Sequence, residues 1–179
     1  MSQSNAMDPA NQVLPLSLPA CVIRVLGRPG WFDPAMLANV KIRPPSIFIR
    51  LISHQSVAGQ QIAATTIGDI IYFHGPEHFV TNTPKGLALI AHELRHVEQF
   101  MARGLIGLGF RYLLQFARHG YSNKISYERD ADKVQTTVED YLVREFEKNQ
   151  HQPACQAGHV SNPLYQISDS YPDLPSVEV

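Results

Sequence analysis

The chain has 179 residues, the length of a single domain with at most a short tail. Hydrophobic residues make up 44% of it, which is enough for a globular core and argues against wholesale disorder. The formal net charge is −1, so nothing in the composition favours a nucleic-acid partner, which usually needs a basic face. Because Cys21 and Cys155 form no CxxC pair, we expect two unpaired thiols rather than a disulfide framework or a thiolate zinc site.

The two ends of the chain are set apart from its middle. The letters "SNA" before Met7 are typical of a cloning scar, so residues 1–6 are left out of the fold. No basic segment leads into an apolar one there, and we expect no secretory signal, hence a cytoplasmic location or export without a classical signal peptide. Residues 7–150 are predicted to form the domain, and the polar, proline-bearing residues 151–179 an extended or partly disordered tail.

Two short β-branched segments begin the domain. "ACVIRVL" at residues 20–26 and "SIFIRLI" at residues 46–52 are both predicted to be strands. Between them, Asp33 can cap a short helix in which Pro34 is the first residue.

A hairpin and a long helix follow. The runs "ATTI" and "IIYF" are separated by Gly68 and Asp69, a connection that predicts a β-hairpin. Thr83 can cap the next helix, with Pro84 in its first turn and Gly104 as its end. Apolar residues at three- and four-residue steps give that helix one buried face: Leu87, Ile90, Ala91, Leu94, Val97 and Met101.

Two further helices are predicted. One covers about residues 108–118 and ends at Gly120; the other begins near Ser126 or Tyr127 and continues to about residue 149. The apolar run "GLIGLGFRYLLQF" in the first of them is too short, and too charged at its flanks, to be a transmembrane segment. The fold class is therefore α+β, a small antiparallel or mixed sheet packed on the long helix with two further helices.

The stretch "HELRH" lies in the middle of the long helix. Because residues four apart lie within roughly 40° of each other around a helix, His92 and His96 can both bind one metal ion. Glu93 lies beside the pair, where it can reach a metal-bound water, which is the physical content of the H-E-x-x-H motif. The alternative is a helical core protein that carries two histidines and binds no metal.

A catalytic zinc ion needs a third protein ligand and an open position for water. "YERDAD" supplies Glu128, with Asp132 one helical turn later to accept the remaining N–H of a ligand histidine. Asp130 is the local competitor of Glu128, but it points about 200° away from it and is expected to face solvent. The alternative for Glu128 and Asp132 is a solvated acidic patch at a helix N-terminus.

HELRH followed by a glutamate resembles the gluzincins, the thermolysin-like zinc metallopeptidases. More narrowly, "TIGDIIYF", "TPKGLALIAHELRHVEQ", "RHGYSN" and "YERDAD", in that order, resemble a bacterial zincin-like domain often found with extracellular contractile injection systems and toxins. The resemblance covers about residues 57–132. It implies that His92, His96 and Glu128 bind one Zn²⁺, that Glu93 is the catalytic base and that Asp132 supports a histidine.

The sequence departs from the thermolysin-like pattern in two respects. The segment between His96 and Glu128 is longer and holds an additional helix. The usual transition-state donor has no single counterpart, and Tyr112, His119 and Tyr121 remain candidates beside their ordinary packing or capping roles.

The function predicted from these residues is zinc-dependent hydrolysis of peptide bonds, by a zinc-bound water that Glu93 activates. The substrate would be a peptide or protein that adds as a strand to the "IIYF" strand, which we expect at the sheet edge beside the cleft: Ile70, Ile71, Tyr72 and Phe73. The rival prediction is a non-catalytic zinc-binding structural or interaction module of a secreted assembly or toxin system.

Overall fold

The computed structural model describes residues 16–28, 30–45, 49, 62–119, 126–149 and 155, with the backbone alone for residues 105–119. A mixed sheet and four helices make up this part of the chain, which is the predicted α+β class. The elements in chain order are β1 (Leu16–Ser17), α1 (Ala20–Leu26), α2 (Pro34–Asn39), β2 (Lys41–Arg43), β3 (Ala64–Ile67), β4 (Ile70–Phe73), a 3-10 turn (Pro76–His78), α3 (Pro84–His119) and α4 (Ser126–Lys148).

The first predicted strand is wrong, because residues 20–26 form the helix α1. Its buried residues Val22, Val25 and Leu26 follow the three- and four-residue steps of a helix. Packing of this face on the core therefore outweighs the strand preference of β-branched side chains. Of the second predicted strand, residues 46–52, only Ile49 lies within the described residues, and it is helical and buried.

The short helix α2 begins as predicted. The side chain of Asp33 accepts a 2.9 Å hydrogen bond from the backbone N–H of Ala35, and Pro34 is the first helical residue. Met36 and Leu37 of this helix are buried. Since the helix is only six residues long, these contacts rather than helix propensity hold it in place.

The strand order of the sheet is β1-β2-β4-β3, with β2 and β4 parallel and the other two pairs antiparallel. The predicted hairpin is confirmed, since β3 and β4 pair across the Gly68-Asp69 turn and Gly68 has the positive φ of 64° that favours glycine. Ile42, Ile71 and Thr66 lie side by side in the register, all on the buried face of the sheet. The strands β1 and β2, of two and three residues, had not been predicted.

The long helix α3 packs against β3 and carries the motif residues. Thr83 caps it as predicted, since its hydroxyl accepts a 3.1 Å hydrogen bond from the Gly86 N–H. Gly104 has φ 70° and ψ 159°, so the helix is kinked where the sequence predicted its end, and helical backbone continues to His119. The predicted apolar face is buried except at its last residue, because Met101 is 66% exposed.

Helix α4 packs along α3 and begins at Ser126, as predicted. Its residues Tyr127, Ala131, Val138 and Leu142 are buried. None of the helices in the described part of the chain has the length and apolar character that crossing a membrane requires.

Both cysteines are free thiols, as predicted. Cys155 is the one described residue of the segment 151–179, and it is buried in the core, with Cys21 of α1 packed against that core. Burial, together with a hydrogen bond to Cys21, raises the pKa of the Cys155 thiol to about 12.

Candidate metal centre

Two histidines on one face of α3 are the first two members of the site. The helical spacing of four residues brings the Nε2 atoms of His92 and His96 within 3.1 Å of each other. Both side chains are largely buried, with 13% and 14% of their surface exposed. At this distance the two nitrogens can share a proton in a hydrogen bond, or both can bind one cation.

Glu128 on α4 completes the group. Its Oε2 atom lies 3.6 Å from the Nε2 atom of His92 and 3.6 Å from that of His96. In a tetrahedral zinc site with bonds of about 2.0–2.1 Å, ligand atoms are about 3.3–3.4 Å apart. The three observed separations bracket this spacing, so His92, His96 and Glu128 form a group that can hold a metal ion.

The charges in this group are strongly coupled. Burial raises the pKa of Glu128, but the attraction of the His92 and His96 imidazoles, each 3.6 Å away, outweighs burial and lowers the pKa to about 2. Burial likewise lowers the pKa of His96, but the Glu128 carboxylate 3.6 Å away and the charge of Glu93 raise it to about 9. In the metal-free protein His96 is therefore protonated near neutral pH, and its positive charge faces the Glu128 carboxylate as that of a bound cation would.

Asp132 lies beside the other nitrogen of His92. Its Oδ1 atom is 3.4 Å from His92 Nδ1, and its side chain is 55% exposed. Although this separation counts as an ion-pair distance, the buried Nδ1 atom makes no hydrogen bond of acceptable geometry within the described part of the chain. His92 is therefore oriented less firmly than His96.

Glu93 is held by the sheet. Its carboxylate Oε2 accepts a 2.6 Å hydrogen bond from the hydroxyl of Thr66, in the middle of β3. The same hydroxyl lies 3.3 Å from the backbone carbonyl oxygen of Glu93. With 5% of its surface exposed, Glu93 is a buried carboxylate, and its charge acts on His96. The sequence had not identified Thr66, because only the docking of the hairpin on α3 brings it there.

The sequence analysis also did not identify Gln99, which contacts His96. Its Oε1 atom lies 2.9 Å from His96 Nδ1, and its Nε2 atom donates to Tyr127 O at 3.1 Å and to Asp130 Oδ2 at 3.0 Å. Asp130, which was predicted to face solvent, has a side chain that is 42% exposed, and it also accepts a 2.8 Å hydrogen bond from Arg95 Nε that lowers its pKa. The position of Gln99 three residues after His96 could have indicated this contact, because side chains three residues apart in a helix are neighbours.

The predicted substrate strand is not at the sheet edge. Residues Ile70, Ile71, Tyr72 and Phe73 form β4, which pairs with β2 on one side and β3 on the other, so its backbone groups are already used. Among the described strands, β3 is the edge on this side. The side chains of the donor candidates Tyr112 and His119, and all of Tyr121, lie outside the described residues.

Comparisons with known proteins bear on the α3 segment. No curated protein and no solved structure matches the chain. A protein-family model described as the eCIS core domain matches residues 50–103, less than a third of the chain. The matched segment includes the β3–β4 hairpin, both histidines and Glu93, whereas Glu128 follows it. The match links this chain to extracellular contractile injection systems through the segment that carries HELRH.

Proposed function

We propose that this protein is a zinc metallopeptidase. The observation that carries the proposal is the spacing of 3.1, 3.6 and 3.6 Å among two imidazole nitrogens and one carboxylate oxygen, with a second buried carboxylate beside them. Two histidines and a glutamate are a donor set that suits zinc with an open fourth position. Glu93 beside these ligands supplies the general base that hydrolysis requires in addition to the metal.

In this proposal the site residues have three roles: metal ligand, general base and support of that base. His92, His96 and Glu128 would hold the ion, which when bound supplies a Lewis acid and lowers the pKa of water. Glu93 accepts the proton of the water that attacks the scissile carbonyl carbon and delivers it to the leaving amine nitrogen. Thr66 holds one oxygen of this carboxylate, so that the other is presented to the water.

The edge strand β3 is the surface we assign to the substrate. Ala63 and His74 are a hydrogen-bonded pair, because the His74 N–H donates to the Ala63 carbonyl at 3.0 Å. Pairs alternate along an antiparallel ladder, so the backbone N–H and C=O groups of Ala64 and Thr66 point away from β4. An extended peptide can pair with these groups next to Glu93, which makes the substrate class an extended main chain.

A second candidate is a non-catalytic zinc-binding module. The observation that favours it is the burial of Glu93, only 5% exposed and already hydrogen-bonded to Thr66, because such a carboxylate can serve packing alone. The link to extracellular contractile injection systems is equally compatible with a part in an assembly. Turnover separates the two candidates, since both bind zinc.

The test combines metal content with peptide cleavage. Wild-type protein and the variants Glu93→Gln and His96→Ala are purified without a metal affinity column, analysed for zinc by mass spectrometry and incubated with a peptide library. We expect about one zinc per wild-type chain and cleavage of extended peptides. Glu93→Gln should keep the zinc and lose cleavage, and His96→Ala should lose both.

Two matched variants control for the substitutions themselves. Glu147→Gln makes the same change at an exposed position of α4, and His78→Ala removes a histidine outside the site. Both should behave as wild type. Cleavage retained in Glu93→Gln would overturn the mechanism, while zinc without cleavage in the wild type would favour the non-catalytic module. A folded wild-type protein without zinc would remove both candidates.

A further inference from the structure

We propose that Gln99 is a positioning residue of the metal centre: it fixes which nitrogen His96 offers to the ion and ties that choice to the position of Glu128. The inference rests on the proposed metal site but not on peptide cleavage. It concerns a buried amide that makes hydrogen bonds to both α3 and α4. Gln99 is 7% exposed, so water offers it few alternative partners.

The orientation of the Gln99 amide follows from its partners. The backbone carbonyl oxygen of Tyr127 can only accept a hydrogen bond, and so can the carboxylate of Asp130. The Gln99 NH₂ group must therefore face these two oxygens, and its carbonyl oxygen must face His96 Nδ1, 2.9 Å away. The opposite orientation would set three acceptors against one another.

The tautomer of His96 follows in turn. Because the amide oxygen accepts, Nδ1 of His96 must carry a proton, which leaves Nε2 as the nitrogen that can bind a cation. Nε2 is the atom that lies 3.1 Å from His92 Nε2 and 3.6 Å from Glu128 Oε2. One hydrogen bond thus selects the ligand atom and sets the rotation of the ring.

The same amide also positions the third ligand. Tyr127 precedes Glu128 in the first turn of α4, and its carbonyl oxygen accepts from Gln99. The Oδ2 atom of Asp130, the second acceptor, also accepts a 2.8 Å hydrogen bond from Arg95 Nε. The start of α4 is therefore held on both sides of Glu128, and the α3–α4 register that brings Glu128 to the histidines depends on Gln99.

His92 provides an internal comparison. Its Nδ1 atom lies 3.4 Å from Asp132 Oδ1, without an acceptable hydrogen bond in the described part of the chain, and the Asp132 side chain is 55% exposed. Support from an exposed side chain is weaker than support from a buried amide with three partners. Removing the Gln99 interaction should therefore weaken zinc binding more than removing the Asp132 interaction does.

The experiment compares Gln99→Met, Gln99→Glu, Asp132→Asn and, as a matched control, Gln135→Met on α4. Zinc affinity is measured by competition with a chelator. The ring nitrogens of His96 are followed in the zinc-loaded protein by long-range ¹H–¹⁵N NMR, and unfolding of the metal-free protein is measured in urea. If Gln99→Met fails to fold, Gln99→Asn, one methylene too short to reach His96, takes its place.

We expect Gln99→Met to weaken zinc binding about 10- to 100-fold and to remove the slowly exchanging Nδ1–H signal of His96. Gln99→Glu keeps an acceptor for that proton, so the His96 Nδ1–H signal should remain, but it loses both donors to α4 that hold the segment around Glu128. Its zinc affinity should therefore fall less than that of Gln99→Met, and it should unfold at lower urea concentration than wild type. Asp132→Asn should lower affinity less than Gln99→Met, and Gln135→Met should match wild type.

Each other result counts against a specific statement. Equal loss of stability in Gln99→Met and Gln99→Glu, with zinc affinity and the His96 signal unchanged in both, would reduce Gln99 to a packing residue and overturn the inference alone. A wild-type protein that binds no zinc would overturn the proposed function, and the inference with it. Zinc binding without peptide cleavage leaves the inference standing.

Discussion

Thr66 Oγ1 donates a 2.6 Å hydrogen bond to Glu93 Oε2, joining the middle of an edge strand to the second residue of the HELRH motif. Both side chains are buried, at 9% and 5% exposure. A hydrogen bond to a buried carboxylate is of the stronger, charge-assisted kind, and leaving such a group without its partner is costly. The sheet therefore fixes the direction of the proposed catalytic base.

Replacing Thr66 by valine removes this hydroxyl and keeps the shape of the side chain. We expect kcat to fall about 10- to 100-fold, the equivalent of the roughly 1.5–3 kcal/mol that a hydrogen bond to a charged group contributes. The zinc content should not change, since Thr66 is not among the three ligand candidates. Steady-state kinetics on a cleaved peptide and metal analysis of the same sample measure both.

Two further variants test the interpretation of that result. Thr66→Ser restores the hydroxyl and should recover most of kcat, and Thr137→Val makes the same change on the exposed face of α4 and should have no effect. Wild-type kcat in Thr66→Val would mean that Glu93 is oriented by other groups.

The local parts of the site were predictable from sequence. The His92–His96 spacing is set by the period of one helix, and the start of that helix by the Thr83 cap, so neither depends on distant residues. Glu128 was only one of several acidic residues in "YERDAD". Its convergence with the histidines depends on how α3 packs on α4, a tertiary relationship that no local pattern encodes.

The predictions that failed also depended on tertiary packing, which no local pattern encodes. Thr66 reaches Glu93 only because the hairpin packs on α3. The strand β4 is an inner strand rather than the predicted edge because the three-residue strand β2 pairs with it in parallel. A strand that short has no recognisable period in the sequence. In residues 20–26 the strand preference was evident, but the buried Val22, Val25 and Leu26 fit a helix.

Glu128→Gln should remove the anionic ligand while keeping its size. We expect zinc affinity to fall by at least about 100-fold, more than for a residue that only supports a ligand. The pKa of His96 in the metal-free protein should also move back from about 9 toward its ordinary value, because its interaction with the negative charge of Glu128, 3.6 Å away, is lost. Chelator competition and an NMR titration of His96 measure the two effects.

Glu139→Gln is the matched control on the same helix and should leave both values at those of the wild type. Zinc affinity that survives in Glu128→Gln would transfer the role of third ligand to another group.

The stability of the metal-free protein should depend on pH through the same pair. Because the folded-state pKa of His96 is raised to about 9, its contribution is complete below about pH 6.5 and is lost as the pH rises to 9. Glu128, with its pKa lowered to about 2, contributes fully above about pH 4.5 and less as the pH falls to 2. The pair should therefore stabilise the protein most between about pH 4.5 and 6.5.

Urea unfolding at pH 5.5, 7.5 and 8.5 measures the alkaline side of this window. The midpoint of the metal-free wild type should fall from pH 5.5 to 8.5, and His96→Gln should show a much smaller fall. Saturating zinc should reverse the trend, because the ion competes with the proton on His96 and binds more tightly as the pH rises. An equal fall in His96→Gln would assign the effect to other groups.

The last prediction concerns the outer edge of β3. Since Ala63 pairs with His74 through hydrogen bonds, the N–H of Ala64 points away from β4, and among the described strands none pairs with that side. Proline at this position removes the outward N–H without breaking a hydrogen bond to β4, and proline is tolerated at such edge positions. Ala64→Pro therefore tests the assigned substrate strand with little disturbance of the sheet.

We expect Ala64→Pro to raise KM for extended peptides about tenfold, the equivalent of one lost hydrogen bond of about 1.4 kcal/mol, with zinc content unchanged. Ala64→Val is the control: it adds a side chain of similar size at the same buried position but keeps the N–H. An effect of crowding would appear in both variants, whereas the loss of the hydrogen bond would appear in Ala64→Pro alone. Equal KM values for Ala64→Pro and Ala64→Val would mean that the substrate does not pair with β3.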